Sequence, residues 1–376
     1  MEMEELKMRL SLCVIAKNEE KRIDEFFKNV RSLVDEIVLV DTGSNDRTID
    51  IAKQKADKVI KLDFFDSFSA ARNISLENAS GDWALILDID EIIFASDFIK
   101  IRNEIAKERG EAYRLPRYNY IGNGCWSTSS IYKLVKLGKG IRYSRKVHES
   151  IRDSLTNSEV ETLPAIVHHF PDASNQKNTL YSRWLKDYLR DNPSDIHAQT
   201  HLIRELFVIG KIDEAFKVAQ EVEACRNDDD RLYTYLGYMY IQLNELERAE
   251  KCFNRIYKNL DKKTNTLPDS VAAGLSIIYY KMQQYEESLR ICLKQINKTP
   301  NMAHLYLNCA ANYFSLGKEE EGKKYFEKAS QLNPLIKSNR IFFSKNLMKN
   351  SIYAFDNVVL EDCYSLYKNK GGNKND

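Results

Sequence analysis

The segment GDWALILDIDE, residues 81–91, joins an apolar run to three carboxylates, Asp88, Asp90 and Glu91. An unpaired charge in an apolar interior is costly, so each acid at such a strand end needs water or a positive partner. Alternate residues of a strand share a face, and Asp88 and Asp90 can therefore aim to one side. Two neighbouring carboxylates repel, and a divalent cation relieves the repulsion. Hard oxygen ligands select Mg²⁺ or Mn²⁺, ions that commonly combine one or two carboxylates with substrate phosphates. Taken alone, a D-x-D is equally a solvated turn, and Glu91 could bind metal or cap the next helix.

Other reactive side chains follow at intervals. Arg72 lies in FSAARN, His148 and Glu149 end the charged stretch KLGKGIRYSRKVHES (136–150), and His168 and His169 sit in AIVHHFPD. A guanidinium can offset phosphate charge, whereas an Asp, Glu or His within hydrogen-bond reach of an acceptor can serve as general base. Each has a structural alternative: an ion pair for Arg72, a hydrogen bond under the sheet for Glu149, a linker role for the histidines. The stretch YNYIGNGCWSTSS (118–130) has the composition of a flexible binding loop or lid, with Trp126 able to stack on a ligand ring, or of an ordinary surface loop.

The elements that must position these groups are legible in the first half. LSLCVIA, EIVLV (36–40), KVIKL (58–62) and WALIL (83–87) read as strands, with helical patterns over about 19–33, 46–56 and 67–79. Strands alternating with helices predict a parallel sheet with crossover connections. Ligands then bind in the loops at the strand C-termini, which here read KNEE, DTGSND and DIDE.

After about residue 172 the pattern changes to helix pairs. The turns GKIDEA, NELERA, QQYEES and GKEEEG begin at 210, 244, 283 and 317, giving spacings of 34, 39 and 34. A 34-residue period of helix–turn–helix units is the tetratricopeptide signature. Gly237, Tyr240, Ala249 and Phe253 occupy its small and aromatic positions in the second unit, and Tyr306, Ala310, Tyr313, Phe326, Ala329 and Pro334 do so in the fourth. The insert DKKTNTLPD (261–269) accounts for the long spacing. In the connecting segment, Asn192–Pro193 suits a helix cap followed by Pro at the first helical position. The expected division is 8–172, 173–200, 201–334 and 335–376, the last piece being a helix and a polar tail too hydrophilic to pack.

Bulk properties restrict the function classes. At 376 residues the chain exceeds one core, and a formal net charge of +1 argues against broad nucleic-acid binding. The acidic N-terminus lacks the basic start of a secretory signal, and no apolar run approaches the roughly 18 residues of a membrane helix. Seven cysteines without a CxxC pair read as reduced thiols, so a cytoplasmic protein is expected.

The four ordered segments SLCVIAKNEEKRI, VLVDTGSNDRT, FSAARN and LILDIDE resemble the family 2 glycosyltransferases over about residues 9–170. The resemblance implies a GT-A fold, that is, an α/β Rossmann-like mixed sheet, here followed by an all-α repeat domain. It implies a UDP-sugar donor with Mg²⁺ or Mn²⁺ and single displacement with inversion. It gives the stretch from Cys13 through Ala16 to Glu19 backbone contacts to the nucleoside, with Glu19 near the ribose or base, and Asp41 hydrogen bonds from uracil unless that carboxylate caps the 46–56 helix. Arg72 falls near the diphosphate, Asp88 takes a ribose or water-mediated role, Ile89 is counted with the nucleotide-sugar site, and Asp90 falls on the metal with His169, or His168, as a further ligand. The segment ending in His148–Glu149 resembles the V-H-E stretch of bacterial members, which implies Glu149 as base and His148 as its orienting partner or a diphosphate contact. The whole plan resembles peptide S-glycosyltransferases of the glycocin type, with a Cys, Ser or Thr acceptor brought by the repeats. The alternatives are a lipopolysaccharide or other glycan acceptor with the repeats used for self-association, or a non-enzymatic repeat adaptor.

Overall fold

The computed structural model describes residues 8–62, 67–122, 125–144, 149–156, 160–171, 176–225, 230–259 and 269–338. His148 and the expected C-terminal tail lie outside them. The chain divides into two compact units, residues up to Asn119 with Ser129–Phe170, and Tyr120–Thr128 with Pro171 onward.

In the first unit, β1 (Leu10–Ala16) is buried along nearly its whole length, as a strand covered on both faces must be. It pairs in parallel with β2 (Glu36–Asp41) on one side and β4 (Trp83–Asp88) on the other, and β3 (Lys58–Lys61) extends the sheet beyond β2. Helix α1 (Ile23–Val30) buries Ile23, Phe26, Phe27 and Val30, the i, i+3, i+4, i+7 stripe of an amphipathic helix. Helix α2 (Thr48–Lys55) starts where Asp46 accepts the Thr48 N–H at 3.0 Å. Helix α3 (Phe68–Glu77) starts at Ser67, whose hydroxyl accepts the Ala70 N–H.

Beyond β4 come the short β5 (Glu91–Ile92), α4 (Ala95–Ile105), β6 (Ala112–Gly122), β7 (Cys125–Lys136) and β8 (Val167–His169). The sheet order is β3-β2-β1-β4-β7-β6-β8-β5, with β7 antiparallel to β4 and β5 antiparallel to β8. The result is the mixed sheet expected, with its parallel part at β3-β2-β1-β4. The strand order switches direction between β1 and β4, and open α/β sheets bind ligands at the strand C-termini beside such a point.

Residues 118–130 depart from the lid expectation. Residues 118–122 belong to β6 and 125–130 to β7, and Trp126 is fully buried with its ring 6.1 Å from that of Tyr120. The ring is packed as core and offers no open face to a sugar. In the second unit Tyr120 also donates its hydroxyl hydrogen to Asn333 Oδ1 at 3.2 Å.

The second unit continues as α5 (Gln176–Asp191), α6 (Ile196–Val208), α7 (Ile212–Cys225), α8 (Asp230–Gln242), α9 (Leu246–Asn259), α10 (Asp269–Lys281), α11 (Tyr285–Ile296), α12 (Ala303–Ser315) and α13 (Glu319–Leu332). The helices pack as pairs α6–α7, α8–α9, α10–α11 and α12–α13. The four aligned turn residues, Gly210, Asn244, Gln283 and Gly317, all have left-handed φ angles, 82°, 59°, 61° and 74°. That conformation ends a helix by redirecting the chain, so the repeat is a repeat of backbone geometry as well as of sequence. Phe253 fills the space between two glycines. A Cβ on Gly237 would lie 2.7 Å, and one on Gly274 2.5 Å, from its ring. The Asn192–Pro193 expectation is corrected: α6 is capped by Asp195, which accepts the Ala198 N–H at 3.0 Å, because only its carboxylate stands one residue before the first helical turn. Among the described residues no helix is long and apolar enough to cross a membrane.

Candidate active site

Two side-chain clusters stand at the C-terminal end of β4. The first is built on Arg72, from the middle of α3. Its Nη2 donates to Asp88 Oδ1 and Oδ2 at 3.0 and 3.3 Å, and its Nε donates to Glu149 Oε1 at 3.0 Å. Tyr143 places its ring 5.6 Å from the guanidinium carbon. Burial works against the charge on Arg72, but Asp88 and then Glu149 outweigh it and hold the group protonated well above its ordinary range. Burial pushes the Tyr143 phenol up, so it stays neutral. Three groups widely separated in sequence thus meet through one planar fork, the geometry for which arginine is suited.

The second cluster lies two residues along. Asp90 Oδ2 is 3.4 Å from His169 Nε2, and His169 Nδ1 donates to Asn119 Oδ1 at 3.0 Å. Nε2 is thus the ring nitrogen turned toward the Asp90 carboxylate. Asn119 is itself held by donating Nδ2–H to Ser129 Oγ at 3.2 Å. Ligand atoms about 2.0–2.1 Å from an octahedral cation stand roughly 3 Å apart, so these two atoms fit one ion with little movement. Among the described residues no group of three or more His, Cys, Asp or Glu forms a metal cage. The pair can supply two protein ligands to an ion, the remaining positions being left to substrate oxygens and water. Strand alternation sends His168 the other way, into edge contacts with Phe94 and Tyr118 at 4.8 and 5.9 Å.

Glu91 sits beneath both clusters, fully buried. Lys133 Nζ donates to its Oε2 at 2.5 Å, Arg117 Nη1 lies 3.4 Å from Oε1, and the Asp88 N–H donates to Oε2 at 3.0 Å. Neither of the roles considered for Glu91 fits, since its oxygens are turned to two cations and a backbone amide. Lys133, on β7, also lies 3.8 Å from Asp88 Oδ2. Lys133, Arg117, Asn119 and Tyr143 escaped the sequence reading. A lysine inside the apolar strand IYKLVK was the available signal, because a buried ammonium requires a carboxylate.

Other expected contacts are used within the fold. Asp41 is fully buried, and its Oδ1 accepts the Gly43 and Ser44 N–H groups at 3.0 and 2.9 Å while Oδ2 accepts the Ser44 hydroxyl. Its carboxylate shapes its own turn, and it is Asp46 that accepts the Thr48 N–H at the start of α2. Cys13 lies in mid-strand, paired on both sides, and burial pushes its thiol up to about 12. Ala16 accepts the Thr42 N–H at 2.9 Å, Ile89 packs into the main core, and Glu19 accepts from Arg22 Nε at 2.9 Å. The structure thus brings Arg72, Asp88 and Glu149 together, and Asp90 and His169 together, while Cys13, Asp41 and Ile89 face inward.

Residues 11–158 match the family model for glycosyl transferase family 2, and residues 230–262 and 303–334 match the tetratricopeptide repeat. A TPR repeat-containing protein of Synechococcus elongatus is 30% identical over 202 residues, 50% of this chain and 50% of that protein. An uncharacterized glycosyltransferase of Rickettsia typhi is 34% identical over 83 residues, 22% of this chain and 28% of the relative. The SPbeta prophage-derived glycosyltransferase SunS of Bacillus subtilis is 36% identical over 81 residues, 21% of this chain and 19% of the relative. The chain spans half the length of the first relative and less than a third of the other two. It carries an N-terminal family 2 glycosyltransferase domain followed by tetratricopeptide repeats.

Proposed function

We propose that the family 2 domain transfers a sugar from a nucleotide-sugar, with UDP as the nucleotide, to a Cys, Ser or Thr side chain of a peptide or protein. The observation that carries the reading is the pairing of Asp90 with an oriented His169 beside the Arg72–Asp88–Glu149 cluster, at the switch point of a matched transferase domain. Mg²⁺ or Mn²⁺ held there supplies positive charge against the departing diphosphate. An imidazole in the donor set favours Mn²⁺.

The chain's own residues supply the rest. Asp90 and His169 fix the donor end, and Asn119 keeps His169 in the tautomer that leaves Nε2 unprotonated. Glu149 takes the proton from the acceptor hydroxyl or thiol. The acceptor atom forms its bond to the anomeric carbon as the bond from that carbon to the diphosphate oxygen breaks, its electron pair leaving with the nucleoside diphosphate. One displacement inverts the centre. Stacked helix pairs offer an extended surface of the kind that binds peptides, which supports a polypeptide acceptor.

The test is calorimetric titration of UDP into wild type and Asp90→Ala, with Mn²⁺, Mg²⁺ or EDTA, followed by mass spectrometry of peptides incubated with UDP-sugars. Metal-dependent binding that Asp90→Ala abolishes, with a hexose-sized mass gain on Cys, Ser or Thr, is expected. Absence of binding to any nucleotide would overturn the enzyme reading, and transfer to a lipid-linked glycan alone would overturn the acceptor.

A further inference from the structure

We infer that the polar face of α3 is a clamp for the segment that carries the base, and that Arg72 is a positioning residue for Glu149 and not a ligand of the donor diphosphate. The inference deepens the transferase reading above and rests on it for its catalytic consequence. Ser69, Arg72 and Asn73 stand at i, i+3 and i+4 of one helix and so share a face. Between them they hold Tyr143, Ser144 and Glu149. Ser69 Oγ donates to the Ser144 carbonyl at 3.1 Å. Asn73 makes a two-way contact, with Nδ2 donating to the Tyr143 carbonyl at 3.0 Å and Oδ1 accepting the Tyr143 N–H at 2.7 Å. Arg72 Nε then reaches Glu149 at 3.0 Å, just before Ser150, which exchanges backbone hydrogen bonds of 2.9 and 3.1 Å with Ser144.

In the Arg72 guanidinium, two of the three nitrogens are already committed to carboxylates. Its Nε and Nη2 are engaged by Glu149 and Asp88, and the ring of Tyr143 lies 5.6 Å away. Its Nη1 is closed off from solvent and has no hydrogen-bond partner among the described residues. The side chain is 10% exposed and its charge is already matched by two carboxylates. The bidentate fork sets the distance between the acid at the end of β4 and the base, which lysine, a single point charge, cannot do.

The test compares Arg72→Lys, Glu149→Gln, the double variant and Asn73→Ala in the full chain with Mn²⁺ present. Affinities for UDP and for uridine are measured by calorimetry, and turnover on a UDP-sugar is measured alongside. Arg72→Lys should change the ratio of UDP to uridine affinity less than twofold while lowering kcat by about 10²-fold, within the range of about 10²–10⁴ that a positioned base contributes. The double variant should be no slower than Glu149→Gln alone, since a residue acting through another has nothing further to lose. Asn73→Ala, which leaves the guanidinium in place, should lower kcat and leave both affinities unchanged. A loss of UDP affinity without a matching loss for uridine would make Arg72 a diphosphate ligand and overturn the inference, as would multiplicative effects in the double variant. If wild type binds no nucleotide, the transferase reading fails, and thermal unfolding of the same four proteins still decides the clamp. Non-additive midpoint shifts for Arg72 and Glu149 support it, and additive ones refute it.

Discussion

Replacing Lys133 by Met should destabilise the first unit far more than a surface lysine would. The ammonium is 5% exposed and donates at 2.5 Å to a carboxylate that is wholly buried. Without it, Glu91 retains only Arg117 at 3.4 Å and the Asp88 N–H, so a buried anion is left with one long ionic contact. Breaking a buried pair by removing one partner costs roughly 3–5 kcal/mol, and the residual Arg117 contact places this case near the lower figure, about 3 kcal/mol. For a unit of this size each kcal/mol moves the midpoint by about 2–4 °C, so a drop of roughly 6–12 °C is expected. The two units can melt separately, so the assay is thermal unfolding with peptide-level hydrogen exchange over β4 to assign the transition. Lys133→Met combined with Glu91→Gln removes the uncompensated charge and should recover most of the loss. A single variant within 2 °C of wild type, or a double variant no better than the single, would refute the argument.

Three other outcomes are expected. Asn119→Leu should weaken Mn²⁺-dependent UDP binding by about 10–100-fold through loss of His169 orientation, whereas Asn119→Asp, which still accepts from Nδ1, should retain it, as read by calorimetry. Glu36 is buried, which alone would raise its pKa, but Lys58, Ser11 and Ser80 more than compensate and lower it to about 2. A carboxyl depressed in the folded state stabilises above its unfolded pKa of about 4.3, and that contribution disappears as pH falls toward 2. Melting curves from pH 6 to pH 3 should therefore show less acid sensitivity in Glu36→Gln than in wild type. Gly274→Ala would set a Cβ 2.5 Å from the Phe253 ring and should cost about 1–3 kcal/mol in the repeats, with Phe253→Leu in the same chain relieving part of it, as measured by chemical unfolding.

The parallel strands and the repeat turns were legible because each leaves a periodic trace: buried apolar runs in β1, β2 and β4, and a turn at a fixed offset in each helix pair. The residues that do ionic work were legible in type but not in partner. Arg72 could equally serve phosphate or carboxylate by sequence, and only folding brings Glu149 within 3.0 Å of it. Asp41 misleads for the opposite reason, since an acid at a strand end looks the same whether it faces a ligand or its own turn. The strands β6 and β7 were hidden by their mixture of Tyr, Asn, Ser and Gly. The stretch also contains an Asn-Gly dipeptide, a pair that in sequence commonly joins two strands.

Phe253 has a bearing on how the array can come apart. The ring belongs to α9, yet it is seated against glycines of α8 and α10, which lie on either side of the insert that lengthens the spacing to 39 residues. The extra length between α9 and α10 would make that junction the natural place to divide the array into modules. The shared ring opposes this, because opening either neighbour strips one face of the same aromatic core residue. In a linear array whose stability is a sum of repeat and interface terms, that raises the interface term at the one junction where the connecting chain is longest. The helices α8 to α10 should then open as a single cooperative unit, and a truncation placed in the insert would cut through a foldon instead of between two.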